Sequence, residues 1–334
     1  MKVLIPSING RFDSLLNLLN RLVLEVGIDN SDVFVFVIST QRHLYRKHVI
    51  DKLAFEVQLV TGVYGLGRQR NFMYQYCLRH FAPGVHVLAL DDDVAGFSRV
   101  RGIRQYSWGS VPREKIALTG PQIRRFLSKA FADCISLGSY LWGLNTSDNA
   151  MCMSLPGAPP RQSLGLVCGF TYGFRLIDDP QLMLRNTLQN GVLEDFERSL
   201  RYFQRHGLIL RYGTHCTTFF ERTSTLTTML VSKHNRSSAS DAAAHRLVAA
   251  FPVYTRLSIG AHHSSYLRSL KSGTPSAPSC GCGACCLCAS RDGACSLRQA
   301  KDSHPVRWCR SCRLEQSWRC TRTRCQNRPP CRGL

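Results

Sequence analysis

Three carboxylates follow one another at Asp91, Asp92 and Asp93, directly after the apolar run Val85–Leu90. Side chains alternate along an extended chain, so Asp91 and Asp93 share a face and Asp92 points elsewhere. Two like charges so close repel unless a cation neutralises them. A hard divalent ion, Mn²⁺ or Mg²⁺, does this with oxygen ligands and keeps positions open for phosphate oxygens. Asp91 and Asp93 are therefore the candidate metal ligands. The plainer alternative is a solvated acidic turn, and three Asp after a fully apolar strand weigh against it.

Further polar groups have types that suit a phosphorylated ligand. In GLGRQRNF, residues 65–72, Arg68 and Arg70 stand between glycines and a helix start. Glycine lets the backbone approach a ligand, a helix N-terminus attracts phosphate, and the arginine fork matches diphosphate oxygens. The P-loop pattern is absent, and a basic surface turn remains the alternative. Ser7, Asn9 and Arg11 follow the first apolar run and are candidates to seat a nucleoside; Asp92 is counted with them as donor-binding. Arg11 taken alone is an ordinary surface arginine. Glu194 and Asp195 open an amphipathic segment, where a helix dipole favours the ionised carboxylate. From spacing alone, simple helix capping is the stronger account of that pair. His215 and His234 fall on segments expected to be loops. Either could complete a metal site, and each singly is more often structural.

The elements that must position these groups alternate. Lys2–Ser7 is expected as a buried strand, Asn9-Gly10 as a turn, and Asp13 as the N-cap of a helix. In that helix Leu15, Leu19, Leu22 and Val26 share one face and Gly27 ends it. Strands are expected over Val33–Ser39, Glu56–Val60 and Val85–Leu90, with a short helix between Arg68 and His80. Strand and helix thus alternate through the first 93 residues, which predicts parallel strands with crossover helices. Such a sheet binds ligands at the carboxyl ends of its strands, where the loops at Ser7–Arg11, Gly65–Arg70 and Asp91–Asp93 converge. Beyond Asp93, Pro121 starts a helix with Ile123, Leu127, Ala130 and Cys134 on one face. Residues 136–165 are expected to be irregular. Leu166–Phe174 is expected as a strand whose glycines mark close approach to the backbone. A helix carrying Leu193, Phe196, Leu200 and Phe203 is expected to stop at Gly207, before a strand over Leu208–Tyr212.

These pieces in order (IPSINGR, GLGRQRNFM, VLALDDDV, LWGLN, CGFTYGF and VLEDFERSLRYF) resemble a GT-A-fold glycosyltransferase over about residues 1–235. More narrowly they resemble the glycosyltransferases associated with Tet/base-J-type dioxygenases, thought to sugar-modify oxidised pyrimidines in DNA. The resemblance implies an α/β fold, a GT-A-like Rossmann-type mixed sheet with flanking helices. It implies Mn²⁺ or Mg²⁺ on Asp91 and Asp93, with a later His completing the site, and a UDP-glucose-like nucleotide-sugar donor. It also implies that Asp195 is the catalytic base or an acceptor contact, with Glu194 beside it. The division expected is a GT-A-like domain over 1–265, a linker over 266–279 and a Cys/Arg-rich tail over 280–334.

Composition bounds the rest. The chain has 334 residues, of which 44% are hydrophobic, enough for a sizeable core. No apolar run approaches the roughly 18 residues of a membrane span. The N-terminal run is too short for a signal peptide, so a nuclear or cytoplasmic protein without a membrane anchor is expected. The formal net charge of +21 favours an anionic partner, DNA among them, with mere solubility as the bland alternative. Five scattered cysteines fit reduced core residues, while eleven crowd into Cys280–Cys331. Cys282/Cys285 and Cys309/Cys312 have the spacing of a zinc site, but sparse apolar residues favour a disordered basic tail. Three rivals remain: an acceptor on protein, glycan or small molecule; a catalytically silent GT-A-like scaffold; and a nucleic-acid-binding module built on the tail.

Overall fold

Apolar runs of period two form a sheet, and segments of period near 3.6 form the helices that cover it. In this computed structural model, residues 1–8, 10–102, 113–188, 191–220, 233–259 and 265–269 are described. The chain order is β1 (Lys2–Pro6), α1 (Phe12–Asn20), β2 (Val33–Ile38), α2 (Arg42–His48), β3 (Gln58–Gly62), α3 (Leu66–His80), β4 (His86–Leu90) and β5 (Val94–Gly102). Then come β6 (Arg113–Ala117), α4 (Gly120–Leu137), β7 (Leu141–Asn145), β8 (Arg161–Gln162) and β9 (Thr171–Arg175). Last are α5 (Glu194–His206), β10 (Leu210–Phe219), α6 (Lys233–Ala250), β11 (Thr255–Ile259) and β12 (Ser265–Ser269).

Ten strands make one sheet in the order β3-β2-β1-β4-β9-β7-β10-β5-β6, with β8 added beside β10. β3, β2, β1 and β4 are parallel, as the alternation of the first 93 residues predicts. β9 then runs antiparallel to both β4 and β7, and β10 runs parallel to β7 and antiparallel to β5. The architecture is the mixed α/β sheet with flanking helices expected from the sequence. Among the described residues no helix is long and apolar enough to cross a membrane.

Strand alternation divides the core between two faces. Val3 and Ile5 of β1, Val33, Val35 and Val37 of β2, and Leu88 and Leu90 of β4 pack with Leu15 and Leu19 of α1 and Ile123 and Leu127 of α4. Leu4, Phe34, Phe36, Val87 and Ala89 point to the other face, with Met73 and Cys77 of α3 and Tyr202 of α5. Both faces being covered explains why these strands are apolar throughout.

Several boundaries differ from expectation. Arg11, not Asp13, is the N-cap of α1, and Asp13 is an exposed first-turn acid. The helix continues through a wider turn over Arg21–Glu25, and Gly27 (φ +74°) follows its end. Residues 136–165 hold the central strand β7, in which Leu141 and Trp142 are buried. Its Gly and Asn mask the strand pattern. β9 begins at Thr171, later than expected. β10 continues to Phe219, so His215 lies in a strand, and His234 lies in α6; neither is on a loop. Cys77, Cys134, Cys168 and Cys216 are free and buried as expected, but Cys152 is exposed. β12 takes up the first residues of the expected linker, pairing with β11. Residues 270–334, with the zinc option, lie outside the described residues.

Trp142 is fully buried in β7, and its neighbour in register on β9 is Gly173. A Cβ at Gly173 would collide with the Trp142 indole nitrogen. This is the close approach that an interior strand glycine signals. Gly173→Ala is expected to destabilise the fold by about 1–3 kcal/mol through overpacking. Urea denaturation measures this, and an unchanged midpoint would show that the indole moves aside freely.

Candidate active site at the carboxyl ends of the parallel strands

The four parallel strands present their carboxyl ends on one edge of the sheet, the edge at which open α/β sheets bind ligands. Ser7 follows β1, Val63–Leu66 follow β3, and Asp91–Asp93 follow β4. A cavity of about 770 Å³ opens there, walled by Ser7, Arg11, Phe36, Ile38, Tyr64, Gln69, Asp91 and Asp92, with Ser238 and Ala239 of α6. Strand order divides it. Phe36 and Ile38 of β2 and Val63 and Tyr64 after β3 make an apolar side. Ser7 after β1 and the aspartates after β4 make a charged side. Gly65 (φ +92°) caps α3 at the wall between them, in a left-handed conformation that glycine adopts without strain.

The aspartates do not continue the strand. They form a turn in which Val94 N–H donates to the Asp91 carbonyl (3.2 Å), so the expected alternation of faces is lost. Arg70 Nη2 donates to Asp91 Oδ1 (2.5 Å). Asp92 is buried, hydrogen-bonded to Ser7 Oγ (2.5 Å) and to Arg11 Nη1 (2.9 Å). Asp93 also pairs with Arg11 (3.2 Å). It is therefore Asp91 and Asp92 that wall the cavity, while Arg11 clamps the turn and is no ordinary surface arginine. Burial pushes the Asp92 carboxyl up to about 6, against the opposing pull of Arg11 and Ser7. Tyr45, 2.9 Å from Ser7 Oγ, is raised to about 12 by the same burial.

The two candidate arginines part company. Arg68 is exposed on α3 and is not on the cavity wall. Arg70 is buried, spending its guanidinium on Asp91, on the Gly169 carbonyl (2.8 Å) and on Glu194 (3.8 Å). It holds the acids in place and does not itself wall the large cavity.

Glu194 is not a simple cap. It is buried, ion-paired with Arg198 one turn along α5, and close to Arg70. A Cβ at Gly169 would strike its carboxylate, so the glycine makes room for the acid. The residue before it, Leu193, has φ +62°, the one positive-φ non-glycine among the described residues. Such a conformation costs on the order of 1–3 kcal/mol, and such residues cluster at functional sites. Asp195 Oδ1 accepts from Phe196 N–H (2.9 Å). Burial holds its carboxyl above the usual range, while the Phe196 N–H and Arg70 pull the other way. Asp91 also acts on it through space, which ties the α5 acids to the turn after β4.

His215 is not gathered with the acids. It stacks on Phe126 of α4 (4.3 Å between ring centroids), with Nδ1 2.9 Å from Thr214 Oγ1. Burial and Arg99 lower it to about 4. Phe220 N–H, five residues further along, is the group that reaches the acidic turn, donating to the Asp93 carbonyl (3.0 Å). The side chain of His234 and all of Asn9 lie outside the described residues. Among the described residues no three His, Cys, Asp or Glu side chains gather as a metal site on their own.

Sequence reasoning missed Tyr45, Gln69, Arg198 and Glu197. Gln69 Oε1 accepts from Val63 N–H (2.7 Å) and shapes the loop at the cavity mouth. Glu197 collects the N–H groups of Arg185 (2.8 Å), Asn186 (3.0 Å) and Thr187 (2.9 Å), with Arg201 beside it. Burial alone would raise Glu197, but these donors bring it below the usual range. The i, i+4 spacings Glu194–Arg198 and Glu197–Arg201 are the signs that the sequence offers for this network.

No family model and no curated protein matches the chain. Solved structures do show likeness. A fragment of TarS from S. aureus, residues 1–349, is 15% identical with a TM-score of 0.40, over 74% of this chain and 66% of that one. Glucosyl-3-phosphoglycerate synthase from Mycobacterium tuberculosis, solved with Mg²⁺ and UDP, is 11% identical with a TM-score of 0.41, over 80% of this chain and 86% of that one. At these values neither likeness assigns the chain an activity.

The raised Asp92 carboxyl has a signed consequence. Its folded pKa, about 6, lies above the ordinary 3.8, so the folded state binds the proton more tightly. The stability this contributes is complete below about pH 4 and is lost as pH rises through 6. Urea denaturation of Asp92→Asn and the parent chain, without divalent metal, should show the variant gaining on the parent by on the order of 2–3 kcal/mol between pH 4 and pH 7. A pH-independent difference would remove the titration from Asp92.

Proposed function

We propose that this chain is a metal-dependent glycosyltransferase that moves a sugar from a nucleoside diphosphate to a hydroxyl acceptor. The observation that carries this is the divided cavity: an apolar side after β2 and β3, a charged side after β1 and β4, and the buried Glu194, with the half-buried Asp195 beside it, wired to the charged side through Arg70. A nucleoside matches the apolar side, with Tyr64 as an exposed aromatic face and Ser7 and Arg11 toward the phosphates. The N-terminus of α3 at Gly65 adds partial positive charge.

Asp91, on the cavity wall, is the first proposed holder of Mn²⁺ or Mg²⁺, and Asp93, which here pairs with Arg11 off that wall, would join it as the second on turning from Arg11. Arg70 takes one oxygen of Asp91 and leaves the other, and Asp91 is about one-third exposed. Hard carboxylate oxygens, one or two of them, completed by diphosphate oxygens and water, are the donor set that Mg²⁺ takes. The ion, when bound, supplies charge that stabilises the departing diphosphate.

The chain's own residues do the rest. Asp195 accepts the proton of the acceptor hydroxyl as its oxygen bonds to the anomeric carbon and the bond to the diphosphate oxygen breaks. A carboxyl raised by burial suits that role, because a base works best near the operating pH. This route inverts the anomeric carbon. Glu194, held by Arg70 and Arg198, positions the start of α5. The acceptor we assign is an oxidised (hydroxymethyl) pyrimidine in DNA, on the motif resemblance and on the net charge of +21.

A donor screen that reads nucleoside diphosphate release with Mn²⁺, with and without hydroxymethylated DNA, tests both levels. Release that no DNA stimulates keeps the transferase and moves the acceptor to a protein, glycan or small molecule. The double variant Asp91→Asn, Asp93→Asn should abolish metal-dependent turnover while its circular dichroism stays native; undiminished turnover would sink the metal role. Asp195→Asn should retain donor binding by calorimetry and lose roughly 10²–10⁴-fold in transfer rate, the size of a general-base contribution. A rate within threefold of the parent would leave Asp195 an acceptor contact only.

A further inference from the structure

A second, smaller cavity lies beneath the acids, on the α3/α5 face of the sheet. It encloses about 30 Å³ and is lined by Leu4, Tyr74, Tyr172, Tyr202, Arg70 and Arg198 among others. That space accommodates one or two water-sized groups. Two guanidinium groups in one small, largely apolar cavity need an explanation, because buried charges are found paired or they cost several kcal/mol each.

The pairing is incomplete. Arg70 and Arg198 expose only 2% and 6% of their side chains. Arg70 Nη2 is committed to Asp91 and Gly169, but its Nη1 has no hydrogen-bond partner, and its Nε only approaches Glu194. Arg198 Nη2 is committed to Glu194, and its Nη1 also has no partner. Arg198 lies over the Tyr172 ring, its guanidinium carbon 3.8 Å from the centroid, and Arg70 lies over the same ring at 5.7 Å. Neither group is therefore free to swing away to another acceptor.

The rest of the wall does not complete the pairing. No carboxylate lines this cavity. Asn71 spends both ends of its amide on the backbone of Leu184 (2.9 Å each), and the Tyr74 hydroxyl donates to the Ile177 carbonyl. The two cations have two carboxylates, Asp91 and Glu194, but both of these are engaged through Nη2, and Asp91 is about one-third exposed toward the large cavity, so each Nη1 is left without an acceptor. Asp195 lies near, but burial disfavours its charged form. The space thus offers hydrogen-bond donors and positive potential, and asks for a small occupant that only accepts.

We propose that this cavity is a binding site for a monovalent halide-sized anion, chloride in solution, held between Arg70 Nη1 and Arg198 Nη1. A chloride accepts several N–H groups at once and so satisfies both unpartnered Nη1 groups in a place of positive potential, whereas a water accepts two and must also place two protons of its own. The anion completes the arrangement that keeps Arg70 on Asp91 and Arg198 on Glu194. It is a structural ligand of the site above it, and its presence does not depend on what that site transfers.

The full-length chain tests this with two probes. Crystals grown in sodium bromide, measured at the bromine absorption edge, should show an anomalous peak between the two arginines. Thermal unfolding in sodium chloride and in sodium gluconate at equal ionic strength should give a saturable, chloride-specific rise in Tm of roughly 2–6 °C, the size of ligand stabilisation for a chain this long. Arg198→Lys, which keeps the charge and removes the fork, should weaken that chloride response about tenfold in midpoint concentration. Tyr202→Phe, which removes a hydroxyl from the wall and keeps the ring, should preserve it, and serves where the arginine variant does not fold. Bromide found only at surface arginines, or Tm values equal in the two salts, would overturn the proposal and leave the cavity to water.

Discussion

One buried guanidinium ties the site together. Arg70 rises from the first turns of α3, bonds to Asp91 at the end of β4, to the backbone at Gly169 before β9, and approaches Glu194 at the start of α5. Four elements distant in sequence meet on a single side chain that is almost completely buried. A cation in that position is tolerated only while its partners stay in place, and removing one partner of such a pair costs about 3–5 kcal/mol. The constraint runs in both directions. The carboxylates fix Arg70, and Arg70 fixes the spacing between the turn after β4 and the acids of α5. Arg198 extends the same network by one helical turn, and Glu197 anchors the backbone of 185–187, whose Thr187 carbonyl lies against Gly67 of α3.

The half of the fold made by local alternation was legible in the residues. The four parallel strands, the helices α1 and α3 and the edge on which polar loops converge follow from patterns over the first 93 residues, whereas α2 lies in a stretch with no apolar helical face. The faces of α1 and α4 also came out as their spacing predicts: Leu15, Leu19, Leu22, Ile123, Leu127 and Ala130 are all buried. Such faces depend only on neighbours within a few turns of chain. β7 was not legible, since Gly143 and Asn145 interrupt its pattern. Its place in the sheet comes from partners at β9 and β10, far along the chain.

The site was legible by composition and illegible by geometry. Arg68 and Arg70 look alike in sequence, but two positions on a helix differ by about 200°, so one meets water and the other the core. Leu193, Phe196, Leu200 and Phe203 set the helical period of α5. Yet Glu194, Glu197 and Arg198 are among its buried residues, because their partners lie on α3, on the loop at 185–187 and on one another. A hydrophobic pattern carries no signal for a face buried through ion pairs. The aspartates illustrate the same limit. Alternation assumes an extended chain, and the turn closed by Val94 onto Asp91 reorients all three at once.

The change of strand direction in mid-sheet explains why the acids meet at all. A wholly parallel sheet would continue with another strand ending on the same edge as β4. Instead β9 enters antiparallel, so its approach, not its exit, lies beside the carboxyl end of β4. Asp91 N–H donates to the Phe170 carbonyl (2.9 Å), which fixes Gly169 next to Arg70. With no side chain at 169, Glu194 closes onto the same spot, and the left-handed Leu193 turns the chain into α5 so that Glu194 and Asp195 begin the helix there. The strain at Leu193 is on the order of 1–3 kcal/mol, less than the cost of leaving Arg70 and Arg198 without Glu194. The backbone therefore yields where the charges do not, and the proposed catalytic acids sit where that balance puts them.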